Sequence, residues 1–316
     1  MRVLLLGGTG TIGKATLKAL VDAGHQVTGL GRSQPSFDLP DGATWQIADI
    51  TDVGQIQAAF GGAGFDAVVS CLASRTGSGK DAWAVDHDAH VAVLTAAVEA
   101  GVQHFVLLSA ICVQKPLLPF QYAKLAFEEK LQASGLTWSI VRPTAFFKSL
   151  SGQIKRVQQG KPYLLFGDGA LTACKPISDR DLATFIAGCL SDPARQNRIL
   201  PIGGPGPALT PLQQGKLLFE VLGKEPRFRR VPVTLMDVIV GVLSALGRVS
   251  GTMAAKSELA RIGRYYATES MLVLDPTTGR YDADATPETG SDTLRDHFAA
   301  VVRGEISVDL GDHAVF

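Results

Sequence analysis

The sequence has no excess of either charge sign. Its 30 lysine and arginine residues balance 30 aspartate and glutamate residues, and its pI is near 7.0. A nucleic-acid-binding domain usually concentrates basic residues on one face, so the charge balance gives no indication of a DNA or RNA partner. With 316 residues, of which 46% are hydrophobic, the chain is long enough to bury a full core and a smaller appended region.

Cysteine is scarce. The cysteines are far apart and form no paired spacing of the kind that holds a metal ion: Cys71, Cys112, Cys174 and Cys189. Reduced thiols in a reducing compartment are therefore expected, and a cytoplasmic location follows. The apolar run at residues 3–6 begins so close to Met1 that we expect no signal or transit peptide before it.

Long hydrophobic runs are also missing. The longest apolar stretch, residues 231–246, contains Asp237 and is shorter than the roughly 20 residues that a membrane span needs. Residues 235–246 are apolar on nearly every helical face, which is typical of a buried helix. We expect burial of this helix, with peripheral contact to a membrane as the alternative.

Short apolar runs alternate with amphipathic segments over the first half of the chain. Strands are predicted at residues 3–6, 26–29, 44–48, 67–71, 104–109 and 137–142, and helices at 12–23, 53–59, 85–100 and 121–133. This alternation is typical of an α/β fold with a doubly wound parallel Rossmann sheet. We expect a Rossmann domain over residues 1–150, its sheet completed by later segments, and a smaller C-terminal substrate-binding lobe over 151–316.

A glycine-rich loop follows the first predicted strand and opens the first helix. Here Gly7 or Gly8 permits a tight turn. Gly10 lets a pyrophosphate approach the backbone, and Gly13 lets the helix and strand pack closely. Backbone N–H groups at the helix start then face the phosphates. The sequence therefore predicts a dinucleotide site formed by Gly7, Gly8, Thr9, Gly10, Thr11, Ile12 and Gly13.

The ends of the next strands indicate which dinucleotide binds. An NAD-specific site usually has Asp or Glu after the second strand, but this chain has Arg32. A guanidinium binds a 2′-phosphate, and no carboxylate stands in its place to repel that charge, so NADPH is predicted. Asp49 resembles the acidic residue that contacts adenine in this fold. The backbone of Cys71, Leu72 and Ala73 is expected against the nicotinamide ribose, and the loop at 74–80 either closes over the cofactor or is an ordinary surface loop.

Catalytic residues are expected at the fifth strand and on the helix after it. Ser109 and Lys124, together with the glycine loop and Arg32, resemble the extended and atypical short-chain dehydrogenase/reductases. That family has Tyr-x-x-x-Lys on this helix, and here Phe120 occupies the tyrosine position. On a helix Tyr122 points about 200° away from Lys124, so it is no simple replacement. The pattern argues against ordinary carbonyl chemistry.

Further segments, spread over essentially the whole chain, resemble one branch of that superfamily. They are similar to the 3,8-divinyl (proto)chlorophyllide a 8-vinyl reductases and comprise Phe120-Gln121 with Ala123-Lys124, Arg142-Pro143-Thr144-Ala145-Phe146-Phe147-Lys148-Ser149-Leu150, Lys175-Pro176-Ile177-Ser178, Tyr265-Tyr266-Ala267-Thr268-Glu269-Ser270-Met271-Leu272 and Leu310-Gly311-Asp312-His313-Ala314-Val315-Phe316. The resemblance implies NADPH-dependent reduction of the 8-vinyl group of divinyl chlorophyllide a or protochlorophyllide a to ethyl, in chlorophyll or bacteriochlorophyll biosynthesis. Magnesium would then arrive within the pigment.

The resemblance also implies roles for individual residues. Hydride would pass from the nicotinamide to the terminal vinyl carbon, and the macrocycle would delocalise the charge before protonation. Lys124, Gln121 through a bound water, and solvent are the candidate proton donors. Cofactor contacts are implied for Ser109, Lys124 and Pro143. The tetrapyrrole pocket is expected to contain Phe120, Tyr122, Phe146, Phe147 and Lys148, with core packing of Phe146 and Phe147 and a surface position for Lys148 as the alternative.

Three other interpretations remain. His87 and His90 stand one helical turn apart, a spacing that can bind metal, but no further ligand accompanies them and Asp86 is expected to cap the helix. We therefore expect no protein-bound metal. A non-catalytic NADPH sensor or assembly factor, which Phe120 favours, and a reductase or epimerase of another small molecule are the alternative functions. No oligomeric state follows from the sequence.

Overall fold

The computed structural model describes residues 1–308. In chain order its strands are β1 Arg2–Leu6, β2 Gln26–Gly31, β3 Ala43–Ile47, β4 Ala67–Ser70, β5 His104–Leu108, β6 Thr137–Pro143, β7 Tyr163–Phe166, β8 Arg198–Ile202, β9 Phe228–Val231, β10 Val273–Leu274 and β11 Tyr281–Asp282.

The helices alternate with these strands. In chain order they are α1 Thr11–Asp22, α2 Val53–Phe60, α3 Gly79–Ala82, α4 His90–Glu99, α5 Pro119–Gln132, α6 Phe147–Leu150, α7 Ile154–Gln158, α8 Asp179–Gly188, α9 Pro211–Val221, α10 Val233–Gly247, α11 Gly251–Thr268 and α12 Leu294–Val302. Between α3 and α4 the chain forms a π-helical segment, Trp83–Ala89, and short 3₁₀ turns occur at Ile111–Gln114 and Pro193–Arg195.

The first of two compact units comprises residues 1–75, 79–143 and 179–201. Its sheet has the strand order β3-β2-β1-β4-β5-β6-β8, and the neighbours from β3 to β6 are parallel. The order reverses between β1 and β4, where Val3 pairs with Ala67. Ligands of doubly wound sheets bind at the carboxyl ends of the strands at such a reversal. The predicted fold class is confirmed.

The core of this unit explains why the central strands form where they do. β1, β4 and β5 are apolar and almost completely buried, as expected of parallel strands covered by helices on both faces. Phe105 and Phe127 fill the space between β5 and α5. On another part of the unit α8 packs against α1. Residues 179–201 thus belong to this unit although they lie well beyond the predicted boundary at 150.

The second unit comprises, among the described residues, 76–78, 144–178 and 202–308. It has a parallel pair, β7 with β9, and an antiparallel pair, β10 with β11. Its core is built around Phe147, Tyr163, Phe219 and Phe298. Helices α10 and α11 pack against each other along their lengths.

Two predictions about helices are wrong. The helix predicted over 85–100 begins at Gly79 and passes through the π-helical segment, so Asp86 lies inside a helical turn and does not cap one. No residue of α10 is buried, although burial of 235–246 was expected. Hydrophobic content predicts that a helix has an apolar face, and not whether other elements cover that face. Among the described residues, no helix is both long and apolar enough to cross a bilayer.

Candidate cofactor and active site

Two glycines of the loop after β1 are required by the fold itself. Gly7 has a φ of +74°, and a Cβ atom there would lie 2.7 Å from backbone atoms of Cys71. A Cβ atom on Gly13 would lie 2.0 Å from the carbonyl oxygen of Gly7. A side chain on Gly13 would therefore separate α1 from the loop after β1, and a side chain on Gly7 would separate that loop from the end of β4. These contacts fit the roles predicted for a tight turn and a close helix packing.

Gly10 is different, because the protein places no such demand on it. Its φ is −74°, and a Cβ atom there would meet only the Gly7 carbonyl oxygen, at 3.4 Å, which is an ordinary contact. Gly10 is the N-cap residue of α1 and has no side chain to cap the helix, whose first turn closes with the hydrogen bond from the Lys14 N–H to the Gly10 carbonyl. Thr9, Gly10 and Thr11 are exposed, whereas Ile12 is buried. The space that a side chain at residue 10 would fill is thus left for a ligand, as a pyrophosphate cradle requires.

Arg32 is exposed directly after β2. Its loop is positioned by Trp45, which the sequence analysis did not identify as a site residue. The indole of Trp45 lies over β2, so that Cβ atoms on Gly29 and Gly31 would come within 2.3 and 2.7 Å of its ring. Its Nε1–H donates a hydrogen bond to the Ser33 carbonyl at 2.9 Å. The signal in the sequence was the pair of glycines in β2 opposite an aromatic residue in β3, where the register pairs Gly29 with Trp45.

The carboxylate of Asp49 follows β3 and is held in its ionised form. Hydrogen bonds from the Thr51 N–H and hydroxyl, at 2.9 and 2.8 Å, are the main reason that its pKa lies below the ordinary value. The Arg32 guanidinium contributes to the same shift. Arg32 therefore has a carboxylate in its neighbourhood, from β3, although none occupies its own strand end.

At the end of β4, Cys71 and Leu72 are half-buried and Ala73 is exposed. The adjacent Ser70 hydroxyl lies 2.8 Å from Nε2 of the buried His90, whose Nδ1 lies 2.8 Å from the Val85 carbonyl. Since a carbonyl only accepts, Nδ1 carries the proton and Nε2 accepts from Ser70. Burial, and next the Lys124 ammonium, lower the pKa of His90 to about 4. Both ring nitrogens are thus used within the protein.

Lys124 has a buried partner that the sequence did not reveal. Its Nζ donates to Oδ1 of Asp86 at 2.9 Å, and both side chains are almost completely buried. The same oxygen accepts from the Ser74 N–H at 3.2 Å, whereas Oδ2 has no hydrogen-bond partner among the described residues. The π-helical turn carries Asp86 to this position, and such turns occur frequently at functional sites. A buried carboxylate with an unused oxygen is suited to accept a hydrogen bond from a bound ligand.

Gln121 is fully buried, and both its amide oxygen and its amide nitrogen bond to backbone groups. Its Oε1 accepts from the N–H groups of Leu117 and Leu118, at 2.7 and 2.8 Å, and its Nε2 donates to the Cys112 carbonyl at 3.1 Å. These bonds tie the loop before α5 to the helix. The amide of Gln121 therefore holds this loop, and proton transfer from Gln121 through a bound water stays a prediction.

The remaining residues predicted around α5 and β6 have different surroundings. Phe120 is half-buried, and Tyr122 is exposed, with its hydroxyl donating to the Pro116 carbonyl at 2.8 Å. Tyr122 and Lys124 thus differ in burial as their helical positions predict. Ser109 is buried after β5 and donates to Glu128, which also pairs with Arg142. Its hydroxyl is engaged within this pair of charged groups, and the following Pro143 is buried.

In the second unit, the three residues predicted for the tetrapyrrole pocket also differ from one another. Phe147 is buried in the core, with its ring 5.3 Å from that of His297, so the core-packing alternative holds for it. Phe146 and Lys148 are half-buried. Lys175 is buried and pairs with Glu288 at 2.6 Å. The C-terminal segment that resembles the family, residues 310–316, lies outside the described residues.

Comparison with known proteins places these features in a family. Residues 7–193 match the family model described as NAD(P)H-binding. Over 99% of its length the chain is 50% identical to the chloroplastic divinyl chlorophyllide a 8-vinyl-reductase of Oryza sativa subsp. indica, of which it covers 82%. It is 48% identical to that of Arabidopsis thaliana, again over 99% of this chain and 79% of the relative. The chain belongs to the divinyl chlorophyllide a 8-vinyl-reductase family.

Solved structures agree with this vinyl-reductase family at the level of the fold. The NADPH-dependent quinone oxidoreductase QOR2 of Escherichia coli, complexed with NADPH, has a TM-score of 0.68 and 17% identity, over 95% of this chain and 99% of that one. The predicted family and the NAD(P)H-binding class are confirmed. Within the vinyl-reductase family the present chain combines a glycine cradle, a buried lysine and carboxylate, and Phe120 where other short-chain reductases have tyrosine.

Proposed function

We propose that this chain reduces the 8-vinyl group of divinyl chlorophyllide a to an ethyl group with NADPH. The observation that carries the proposal is the identity of about half of all residues, along 99% of the chain, to relatives with that activity. The uncovered cradle at Gly10 and the exposed Arg32 support NADPH as the dinucleotide. We propose the cytoplasm as the location, which suits its free cysteines.

The residues of the first unit divide the work of binding. The first turn of α1 would hold the pyrophosphate with its backbone N–H groups, and Arg32 would bind the 2′-phosphate. Trp45 and Asp49 fix the corner from which Arg32 projects. When bound, NADPH supplies the hydride for the terminal vinyl carbon.

Lys124 and Asp86 are proposed to hold the reacting end. The Lys124 ammonium is buried against Asp86, whose Oδ2 has no partner among the described residues. Lys124 would donate to a ribose hydroxyl of the bound cofactor, and Oδ2 would accept from the same ligand. An aliphatic C=C bond has no oxygen that needs an acid at the moment of hydride transfer, so Phe120 in the tyrosine position is compatible with the reaction. Protonation of the inner vinyl carbon completes the addition of two hydrogens, and Lys124 is the proposed donor.

The experiment is turnover of the purified chain with NADPH and divinyl chlorophyllide a, with the pigment analysed by chromatography and mass spectrometry. We expect one NADPH consumed for each pigment that gains two hydrogen atoms. Lys124→Met is expected to lower turnover, whereas Lys130→Met, a surface lysine on the same helix, serves as the matched control. NADPH oxidation without pigment change would indicate a reductase of another molecule. Tight NADPH binding without any turnover would favour a sensor or assembly factor.

A further inference from the structure

Two polar side chains of helix α10, Asp237 and Ser244, bond to helix α11. Asp237 pairs with Arg264 of α11, the Ser244 and Ser257 hydroxyls are 2.7 Å apart, and Arg261 donates to Ser244 at 3.1 Å. The interface between α10 and α11 is therefore stabilised in part by hydrogen bonds and ion pairs.

The opposite side of α10 is an apolar stripe that the described chain leaves uncovered. At about 100° per residue, its members fall within an arc of roughly 100° on the helix surface. They are between 44% and 61% exposed and carry no charged group: Leu235, Val238, Ile239, Val242 and Leu246. Val249, 86% exposed, adds apolar surface in the turn just after the helix. Contiguous apolar surface of this kind is unfavourable in water and marks an interaction site.

Basic residues surround this stripe. The segment 224–264 contains eight lysine and arginine residues and three aspartate and glutamate residues, in a chain whose net charge is zero. Arg229 and Arg230 are exposed just before α10, and Arg248 is exposed just after it. Of the acidic groups, Asp237 and Glu258 are paired with arginines of α11. Cationic side chains therefore flank the stripe at both ends of the helix.

We infer that α10 docks this chain on an anionic lipid surface, lying in the plane of the interface. An apolar stripe that enters the acyl boundary, with cations at the level of the headgroups, has the chemistry of an interfacial helix. A second copy of the chain would bring like charges together around the same stripe, which opposes dimerisation. The helix is not long or apolar enough to cross the bilayer. This inference is independent of the proposed reaction.

The test is flotation of the full-length protein with vesicles, either pure phosphatidylcholine or mixed with phosphatidylglycerol. We expect binding to the mixed vesicles, weakened by salt, and little binding to the neutral ones. Val238→Ser/Val242→Ser is expected to lower partitioning into mixed vesicles at least about tenfold, and Arg229→Gln/Arg230→Gln to lower it by a similar factor. The matched control is Val98→Ser, since Val98 is 45% exposed on α4. Circular dichroism shows that each variant is folded.

Several results would overturn the inference. Wild-type protein that does not float with mixed vesicles has no affinity for an anionic lipid surface. A serine variant that binds as well as the wild type would show that the stripe is not the membrane contact. Dimerisation in sedimentation velocity that the serine substitutions abolish, without vesicle binding, would assign the stripe to a second copy.

Discussion

At the residue scale, the glycine loop separates positions that the fold needs from the one that a ligand needs. Gly7 and Gly13 are held by backbone contacts that leave no room for a Cβ atom, whereas Gly10 has ordinary backbone angles and a free side. The same residue type is thus required for two physical reasons within seven positions. Substitutions can separate folding from cofactor binding because the reasons differ.

Gly10→Ala is expected to leave stability nearly unchanged and to weaken NADPH binding about tenfold, because the added methyl group occupies the pyrophosphate approach. Isothermal titration calorimetry measures the affinity, and thermal unfolding measures the stability. Gly251→Ala, at an open position where a Cβ atom meets nothing within 4 Å, is the matched control. Unchanged NADPH affinity in Gly10→Ala would remove the assignment of this cradle.

At the element scale, the π-helical segment connects the end of β4 to α5. It carries Asp86 to Lys124 and brings the Val85 carbonyl and His90 toward Ser70. A regular α-helix over the same residues would place these groups at other angles, since a π-turn adds one residue. The contacts made by one turn therefore set the positions of both the lysine and the strand end.

Asp86→Asn is expected to destabilise the protein by about 3 kcal/mol, because it leaves a buried ammonium without its counter-charge. Adding Lys124→Met should restore much of that stability while NADPH-dependent turnover stays low. Urea unfolding of the two single variants and the double variant gives the coupling energy. Strictly additive effects would show that the two groups do not act as a pair.

Acid is expected to destabilise the protein through His90, which bonds to Ser70 at the end of β4. Burial lowers the pKa of His90 to about 4, below the ordinary value of about 6.5 that the unfolded chain has. Protons therefore bind the unfolded state first, and stability falls as the pH decreases from about 6.5 towards 4, by up to about 1.4 kcal/mol per pH unit. The buried His104, whose pKa is also lowered to about 4, acts in the same direction.

Unfolding free energies measured between pH 7 and 4.5 test this dependence. His90→Gln should reduce the slope of this dependence, because it removes the buried imidazole whose pKa is lowered. Parallel slopes for His90→Gln and the unchanged chain would show that His90 contributes nothing to it.

Sequence patterns predicted these elements unequally well. The apolar runs located β1 to β6 to within about two residues, because buried parallel strands have a strong local pattern. The π-helical segment was missed because hydrophobic periodicity does not distinguish an i→i+5 turn, and Asp86 resembled a cap because its partner lies 38 positions away. The backbone bonds of Gln121 and the core position of Phe147 were not visible in the sequence, because both depend on how the folded chain packs.

At the scale of the whole molecule, cofactor binding is linked to folding. A ligand that binds only the native state stabilises it by about 2.7 kcal/mol at one hundred times its dissociation constant. The effect of NADPH should exceed that of NADH at equal concentration, because the role proposed for Arg32 is charge-assisted hydrogen bonding to the 2′-phosphate, which NADH lacks. The cysteines add no covalent cross-link, since all four are free thiols.

Thermal unfolding with each dinucleotide measures this linkage. Arg32→Gln should reduce the NADPH affinity roughly 10- to 100-fold and change the NADH affinity little, as expected when hydrogen bonds to a charged group are lost. Equal loss for both cofactors would mean that Arg32 supports the fold of the site and does not choose between them.

The stacking of Trp45 on β2 also gives the molecule an optical signal. Its indole bonds to Ser33, one residue from the proposed 2′-phosphate contact, whereas Trp83 lies on the π-helical segment and Trp138 on β6. Replacing the latter two by phenylalanine leaves an emission that comes from the Arg32 corner alone. Dinucleotide arrival can then be followed in real time through the fluorescence of a residue that the protein already has.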